Sequence, residues 1–113
     1  PQNKIFVDAF RKEYNGRYPS VYAAQAYDVI MAMDAAVKQA GGKASDREAV
    51  IRALEKADYP SVRGSFTYGK NHYPIQAYYL RVVDKDGSGR ITNKLVGKVF
   101  DKYQDVYVGD CKL

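Results

Sequence analysis

The stretch from Pro19 to Gly42 constrains the fold more than any other part of the sequence. Between Val21 and Val37 the polar residues are Gln25, Asp28 and Asp34, and the spacing of the rest predicts one long helix. A helix that is apolar on all sides belongs in a core, packed on more than one side. Aspartates in its interior argue against a membrane span. We therefore expect this helix to lie against polypeptide outside these 113 residues, as one wall of a larger ligand-binding body.

Shorter helices are predicted on either side of this central helix. Asn3–Tyr14 has apolar residues at helical spacing, with Asn3 as the cap and Gly16 as the end. Ser20 is placed to cap the central helix. The run 45–48, Ser-Asp-Arg-Glu, reads as a capping box for a third helix that ends near Ala57.

The second half changes from helical spacing to alternation. Val62–Tyr68, Ile75–Val83 and Ile91–Phe100 are predicted strands, and 84–89 is a glycine-rich turn between the last two. The final thirteen residues receive no assignment. Three helices followed by about three strands is an α/β pattern that resembles the C-terminal part of a larger fold.

The charge is basic but dispersed. The net charge is +5, and residues 61–113 carry nine basic and five acidic side chains. A small basic domain that binds nucleic acid is one interpretation of this excess. We favour an ordinary solvated surface, because no run of Lys and Arg forms a patch. A salt titration of nucleic-acid binding distinguishes the two, since phosphate contacts weaken steeply with salt.

Little in the sequence indicates catalysis or metal binding. His72 is the single histidine, it falls in a predicted loop, and no Gly-x-Ser-x-Gly elbow accompanies it. Asp84 begins a run like a calcium loop, but the position that needs a bidentate glutamate is Leu95. We expect no enzyme activity, no metal and no cofactor. Cys111 is either a free thiol or half of a disulfide with sequence outside this chain.

Two features of the central helix carry hypotheses. Asp28 and Asp34 are six residues apart, so they do not share a helical face, and we expect each to pair with buried or half-buried donors. Tyr22 lies in the first turn, where unpaired N–H groups and the helix dipole favour a carboxylate. Packing at the helix start is the plain interpretation of Tyr22, and contact with a ligand is the alternative.

Several stretches of the chain resemble the type I periplasmic solute-binding proteins of ABC importers, the branched-chain amino-acid-binding group. The resemblance covers nearly all of residues 3–90 in order and spacing. The matching stretches are Asn3–Phe10, Tyr14, Pro19, Ala26–Asp28 in the alanine-rich helix with its Gly41-Gly42 end, Ile51–Leu54, Val62–Tyr68 and Ala77–Val83 with its glycine turn.

This resemblance implies a two-lobe fold with the ligand in the cleft. Residues 1–80 then belong to the first lobe, and 81–113 cross over and join the second lobe. In the branched-chain amino-acid binders an aromatic residue five positions before the equivalent of Tyr27 lines the pocket, and here that residue is Tyr22. Ser20 caps the helix, and Tyr27 and Asp28 are structural.

The implied function is capture of a solute for an ABC importer in the periplasm. The ligand is an amino acid or a small organic carboxylate, with aromatic ones among the candidates, and the partner is a membrane permease. The residues that anchor amino acids in this group lie mostly upstream of the matching sequence. We expect the other cleft wall to lie in a missing N-terminal portion of the same protein, and any export signal to have been removed or to lie outside these residues. We expect the 113 residues to self-associate. A cysteine near the C-terminus, Cys111, fits an exported protein, where it could pair with an upstream cysteine. The alternative keeps the fold but makes it the ligand-sensing lobe of a receptor or regulator.

Overall fold

The structure is a computed structural model, and it describes residues 1–112. The element order is α1 (Gln2–Glu13), α2 (Val21–Gln39), α3 (Arg47–Glu55), β1 (Thr67–Tyr68), β2 (Pro74–Lys85), β3 (Ile91–Tyr103) and a short 3₁₀ helix (Val108–Asp110). The predicted order of three helices followed by three strands is confirmed. Among residues 1–112 no helix combines the length and apolarity that a membrane span requires. The chain divides into a helical unit, Pro1–Ser65, and a strand unit that begins at Phe66.

The helical unit has a small core between α2 and α3. Ala36 of α2 packs with Val50 and Ala53 of α3, and all three are buried. On α1, Phe6 is 6% exposed and its ring centroid lies 4.9 Å from that of Tyr27 on α2. This contact confirms the structural role predicted for Tyr27.

The predicted start of α1 is wrong in detail. Asn3 lies inside the helix, and the flanking Pro1 makes no side-chain capping bond. The Asn3 amide instead donates to the backbone carbonyl of Val62 at 3.2 Å, so the side chain joins two segments of the unit. The predicted end is confirmed, because Gly16 has a φ of 80° and donates to the Arg11 carbonyl at 2.7 Å.

The capping box predicted at Ser45 is also wrong. Asp46 caps α3, and its carboxylate accepts from the Ala49 N–H at 3.0 Å. The helix therefore starts one residue later than expected, and Glu48 is its second residue rather than the third, which a capping box requires. Glu48 points along the helix to Arg52 instead, at 3.4 Å.

The strand unit is an antiparallel sheet in the order β1-β2-β3. β2 and β3 form a hairpin whose register runs from Gln76 opposite Tyr103 to Lys85 opposite Ile91, with irregularities near Tyr78 and Leu80. The hairpin confirms two predicted strands and the turn between them. The third predicted strand, Val62–Tyr68, is reduced to Thr67–Tyr68. Residues 62–66 lie outside the strand, and the Val62 N–H donates to Asp28 rather than to a neighbouring strand.

Candidate functional site

The first turn of α2 presents Tyr22 on the surface. The Ser20 hydroxyl accepts a hydrogen bond from the Ala23 N–H at 3.2 Å, which confirms Ser20 as the cap. The Ser20 carbonyl accepts the first helical bond, from Ala24, at 3.2 Å. Capping fixes where the helix begins, and so it fixes the direction in which the Tyr22 side chain leaves the backbone.

Tyr22 is available for contact and lies at an electropositive point. The residue is 77% exposed. No acidic residue lies in the first turn of α2, so the partial positive charge of the helix start is not compensated locally. An aromatic ring at the start of a helix can offer a flat apolar wall together with N–H donors for an anion.

Asp28 anchors the loop that follows α3 to the side of α2. It is 2% exposed, and its carboxylate accepts from the Ser61 hydroxyl at 2.6 Å, the Val62 N–H at 2.9 Å and the Arg63 Nε at 2.9 Å. Ser61 also accepts from the Arg63 N–H at 3.1 Å, which closes the loop on itself. We call Asp28, Ser61, Val62 and Arg63 the Asp28 clamp.

The charge of the clamp is balanced within it. Burial lowers the pKa of Arg63, but hydrogen bonds to Asp28 and Tyr59 outweigh the burial, and the pKa is raised above its ordinary value. Arg63 therefore stays protonated and neutralises the buried carboxylate. The structural role expected of Asp28, as a partner of buried donors, is confirmed.

The same expectation is wrong for Asp34. Its carboxylate lies on the surface and pairs with Lys38 one turn later, at 2.7 Å. The position of Asp34 on the open side of α2 explains the difference, because no loop of the helical unit covers it.

The run that begins at Asp84 and resembles a calcium loop is a hairpin turn held by its own hydrogen bonds. Asp86 accepts from the Ser88 hydroxyl at 2.7 Å and from the Arg90 Nε at 2.9 Å. The bond from Ser88, together with bonds from Arg90, lowers the pKa of Asp86 to about 2. Asp84 lies 3.4 Å from Lys94 across the hairpin. These carboxylates fold the turn, which confirms the interpretation of 84–89 as a hairpin turn.

His72 lies in the connection between β1 and β2, as predicted. Its φ is 57°, and its N–H donates to the Gly69 carbonyl at 2.9 Å. The neighbouring Asn71 side chain donates to Asp105 at 2.8 Å, which ties this turn to the segment after β3. The contacts are those of a folded loop. Among residues 1–112 no cluster of three or more His, Cys, Asp or Glu side chains is arranged to hold a metal ion.

Sequence reasoning missed Ser61 and Arg63. A carboxylate inside an apolar helix signals that donors exist, but their location depends on how the loop after α3 folds back. No spacing in the sequence gives that path, because the partners are 33 to 35 residues away.

Residues 1–88 match the family model described as periplasmic binding protein. The chain belongs to the periplasmic binding protein family. The α/β fold predicted from the sequence is confirmed as that of this family.

Two solved structures share this fold. One is the solute-binding protein of an ABC transporter from R. palustris in complex with benzoate, with 34% identity, a TM-score of 0.78 and 97% of this chain covered. The other is an ABC transporter substrate-binding protein from Sphaerobacter thermophilus, with 22% identity, a TM-score of 0.80 and 90% of this chain covered. The chain spans 29% and 28% of their respective lengths. A search of curated proteins gave no match.

Proposed function

We propose that this chain is part of the solute-binding component of an ABC importer and that Tyr22 contacts the captured ligand. The observation that carries the proposal is the 34% identity, over 97% of this chain, to a solute-binding protein solved with benzoate. The exposed Tyr22 at the capped start of α2 supports it, since a carboxylate is the group that such a helix end favours.

The proposed ligand is a small organic carboxylate, with aromatic acids first and amino acids second. A ring such as that of benzoate would stack on or against Tyr22. Its carboxylate would accept from the N–H groups of Val21 and Tyr22, because the Ala23 N–H already donates to Ser20. Binding of this kind involves no covalent chemistry and no cofactor.

The proposal also covers the two lobes, the permease and the cellular compartment that membership of the family implies. Residues 1–80 would belong to one lobe, and 81–113 would cross to the other, with closure of the lobes around the ligand. The closed form would be recognised by a membrane permease, and the protein would act in the periplasm. Further polypeptide would supply the second wall of the cleft, since both solved relatives are more than three times as long.

A chimera tests the role of Tyr22. The 113 residues would replace the corresponding portion of the R. palustris protein, and calorimetry would measure the affinity for benzoate and for leucine. Removal of the ring in Tyr22→Ala should weaken benzoate binding roughly 10- to 100-fold, because an aromatic wall contributes about 1.5–3 kcal/mol. Tyr22→Phe separates the contribution of the ring from that of the hydroxyl.

Tyr73→Ala is the matched control, because Tyr73 is also an exposed tyrosine but lies in the loop before β2. It should leave the affinity unchanged. Equal loss in Tyr22→Ala and Tyr73→Ala, or no loss in either, would refute the assignment of Tyr22. A chimera that binds leucine more tightly than benzoate would make amino acids, rather than aromatic acids, the preferred ligand class.

A further inference from the structure

Asn15 and Gly16 form an Asn-Gly step in the exposed turn that ends α1. In such a step the glycine nitrogen can attack the side-chain amide of the asparagine and close a five-membered ring. Glycine favours this attack because it carries no side chain beside the nitrogen and lets the backbone rotate widely. Within residues 1–112 the Asn15 side chain has no hydrogen-bond partner to hold it away from the reaction.

The reaction consumes water and needs no other reagent. Hydroxide removes the proton of the Gly16 N–H, and the nitrogen forms a bond to Cγ of Asn15. The bond from Cγ to Nδ2 breaks, and Nδ2 takes up a proton from water and leaves as ammonia. Water then opens the ring at either of its two carbonyls, which gives aspartate or isoaspartate. The net change replaces an amide by a carboxylic acid, with no oxidation or reduction.

The other three asparagines are less suited to this chemistry, since none of them precedes a glycine. The Asn3 amide donates to the Val62 carbonyl at 3.2 Å, and the Asn71 amide donates to Asp105 at 2.8 Å. Asn93 lies in the ladder of the β2–β3 hairpin, where its backbone is extended and paired. The sequence and the contacts therefore both single out Asn15.

The Asp86-Gly87 step is protected by its hydrogen bonds. The same ring forms from aspartate when the carboxyl group is protonated, because a carboxylate resists attack by a nucleophile. Asp86 accepts from the Ser88 hydroxyl at 2.7 Å and from the Arg90 Nε at 2.9 Å. Since these bonds lower the pKa of Asp86 to about 2, its carboxylate stays ionised at neutral pH.

The fold slows the reaction at Asn15. The Gly16 N–H donates to the Arg11 carbonyl at 2.7 Å, which keeps the attacking nitrogen protonated. The ring of Tyr14 packs on that of Phe10, with centroids 4.3 Å apart. Attack therefore requires the last turn of α1 to open, and helix ends open at a small cost in free energy. These contacts all lie within residues 10–16, so they do not depend on polypeptide beyond the chain.

We propose that Asn15 is a deamidation site, converted to aspartate and isoaspartate by the Gly16 nitrogen when the end of α1 opens. The new carboxylate would lie at the negative end of α1, with Arg11 and Lys12 in the same turn. Isoaspartate adds one carbon to the backbone, so it should break the hydrogen bond from Gly16 to Arg11. Neither step involves the ligand proposed for Tyr22.

Incubation of the chain at mildly alkaline pH, followed by tryptic digestion and mass spectrometry, tests the site. Cleavage after Lys and Arg places each asparagine in a different peptide, and Asn15 falls in residues 13–17. Deamidation should appear first in that peptide. Since one carboxylate is added, the net charge should fall from +5 to +4, which ion-exchange chromatography of the intact chain detects. The rate should rise with pH, because hydroxide removes the amide proton.

A synthetic peptide of residues 11–18 gives the rate in the absence of the fold. The folded chain should react roughly 2- to 10-fold more slowly than this peptide, the factor that one ordinary hydrogen bond provides. Asn15→Gln is the matched control, because its longer side chain would have to close a six-membered ring. It should stop the reaction in residues 13–17, and circular dichroism should show unchanged helix content.

Four outcomes would overturn the proposal. They are earlier deamidation at another asparagine, isomerisation of Asp86 before any change at Asn15, equal rates in the chain and the peptide, and no change at Asn15 over a period in which the peptide is fully converted.

Discussion

The helical unit and the strand unit are held together in different ways. The helical unit contains the buried residues of the described chain, which are Phe6, Asp28, Ala36, Val50, Ala53 and Val62. Between residues 66 and 112 no residue is buried, and the hairpin is held by its backbone ladder and by the Asp86 turn. Two strands without a covered face are marginally stable in water. The comparison teaches that substitutions in the helical unit act through packing, whereas those in the strand unit act on side chains that are exposed or half-buried.

A matched pair of phenylalanine truncations gives the strongest test of this difference between the helical unit and the strand unit. Phe6→Ala removes a buried ring that packs on Tyr27 and should lower the free energy of unfolding by about 4 kcal/mol. Phe100→Ala removes a ring of β3 that is half exposed and should cost about 1 kcal/mol or less. Urea denaturation monitored by circular dichroism measures both. Equal losses would show that the hairpin is covered as well as the helical core.

Asp28 gives the next largest expected effect. Asp28→Asn puts an amide among three donors and leaves Arg63 without its carboxylate, and it should cost about 3 kcal/mol. Asp34→Asn on the same helix breaks only an exposed pair with Lys38 and should cost about 0.5 kcal/mol or less. Similar values for the two variants would mean that the clamp contributes no more than a surface ion pair.

The smallest effect distinguishes the observed cap of α3 from the predicted one. Asp46→Ala should destabilise the helical unit by about 1 kcal/mol, because the Ala49 N–H loses its acceptor. Ser45→Ala should change stability by no more than about 0.5 kcal/mol. Thermal unfolding of the two variants distinguishes the two caps. A larger loss of stability in Ser45→Ala than in Asp46→Ala would support the predicted capping box.

Local signals in the sequence were sufficient for most of the elements. Helical spacing and the Ser20 cap gave α2, and alternation around the 84–89 turn gave the hairpin. The strand predicted at Val62–Tyr68 is present only at Thr67–Tyr68. Its first residue is held elsewhere, because Asp28, a distant acceptor, takes the Val62 N–H. The alternation of neighbouring residues contains no information about a hydrogen bond to a residue 34 positions away.

The candidate site was predictable only in part. The position of Tyr22 at a capped helix start follows from Ser20 and the residues after it, and the structure confirms the cap. That Tyr22 is exposed is a finding of the structure. The role of Tyr22 as a ligand contact stays a prediction. No spacing within these 113 residues indicates which side chains would surround a ligand beside it.

A nuclear magnetic resonance titration of benzoate into the nitrogen-15-labelled chain tests the central claim most directly. The account predicts weak but saturable shifts at the amides of Val21, Tyr22 and Ala23, abolished by Tyr22→Ala and retained in Tyr73→Ala. Shifts confined to the loop at 69–73, or no saturable shift at the start of α2, would contradict it.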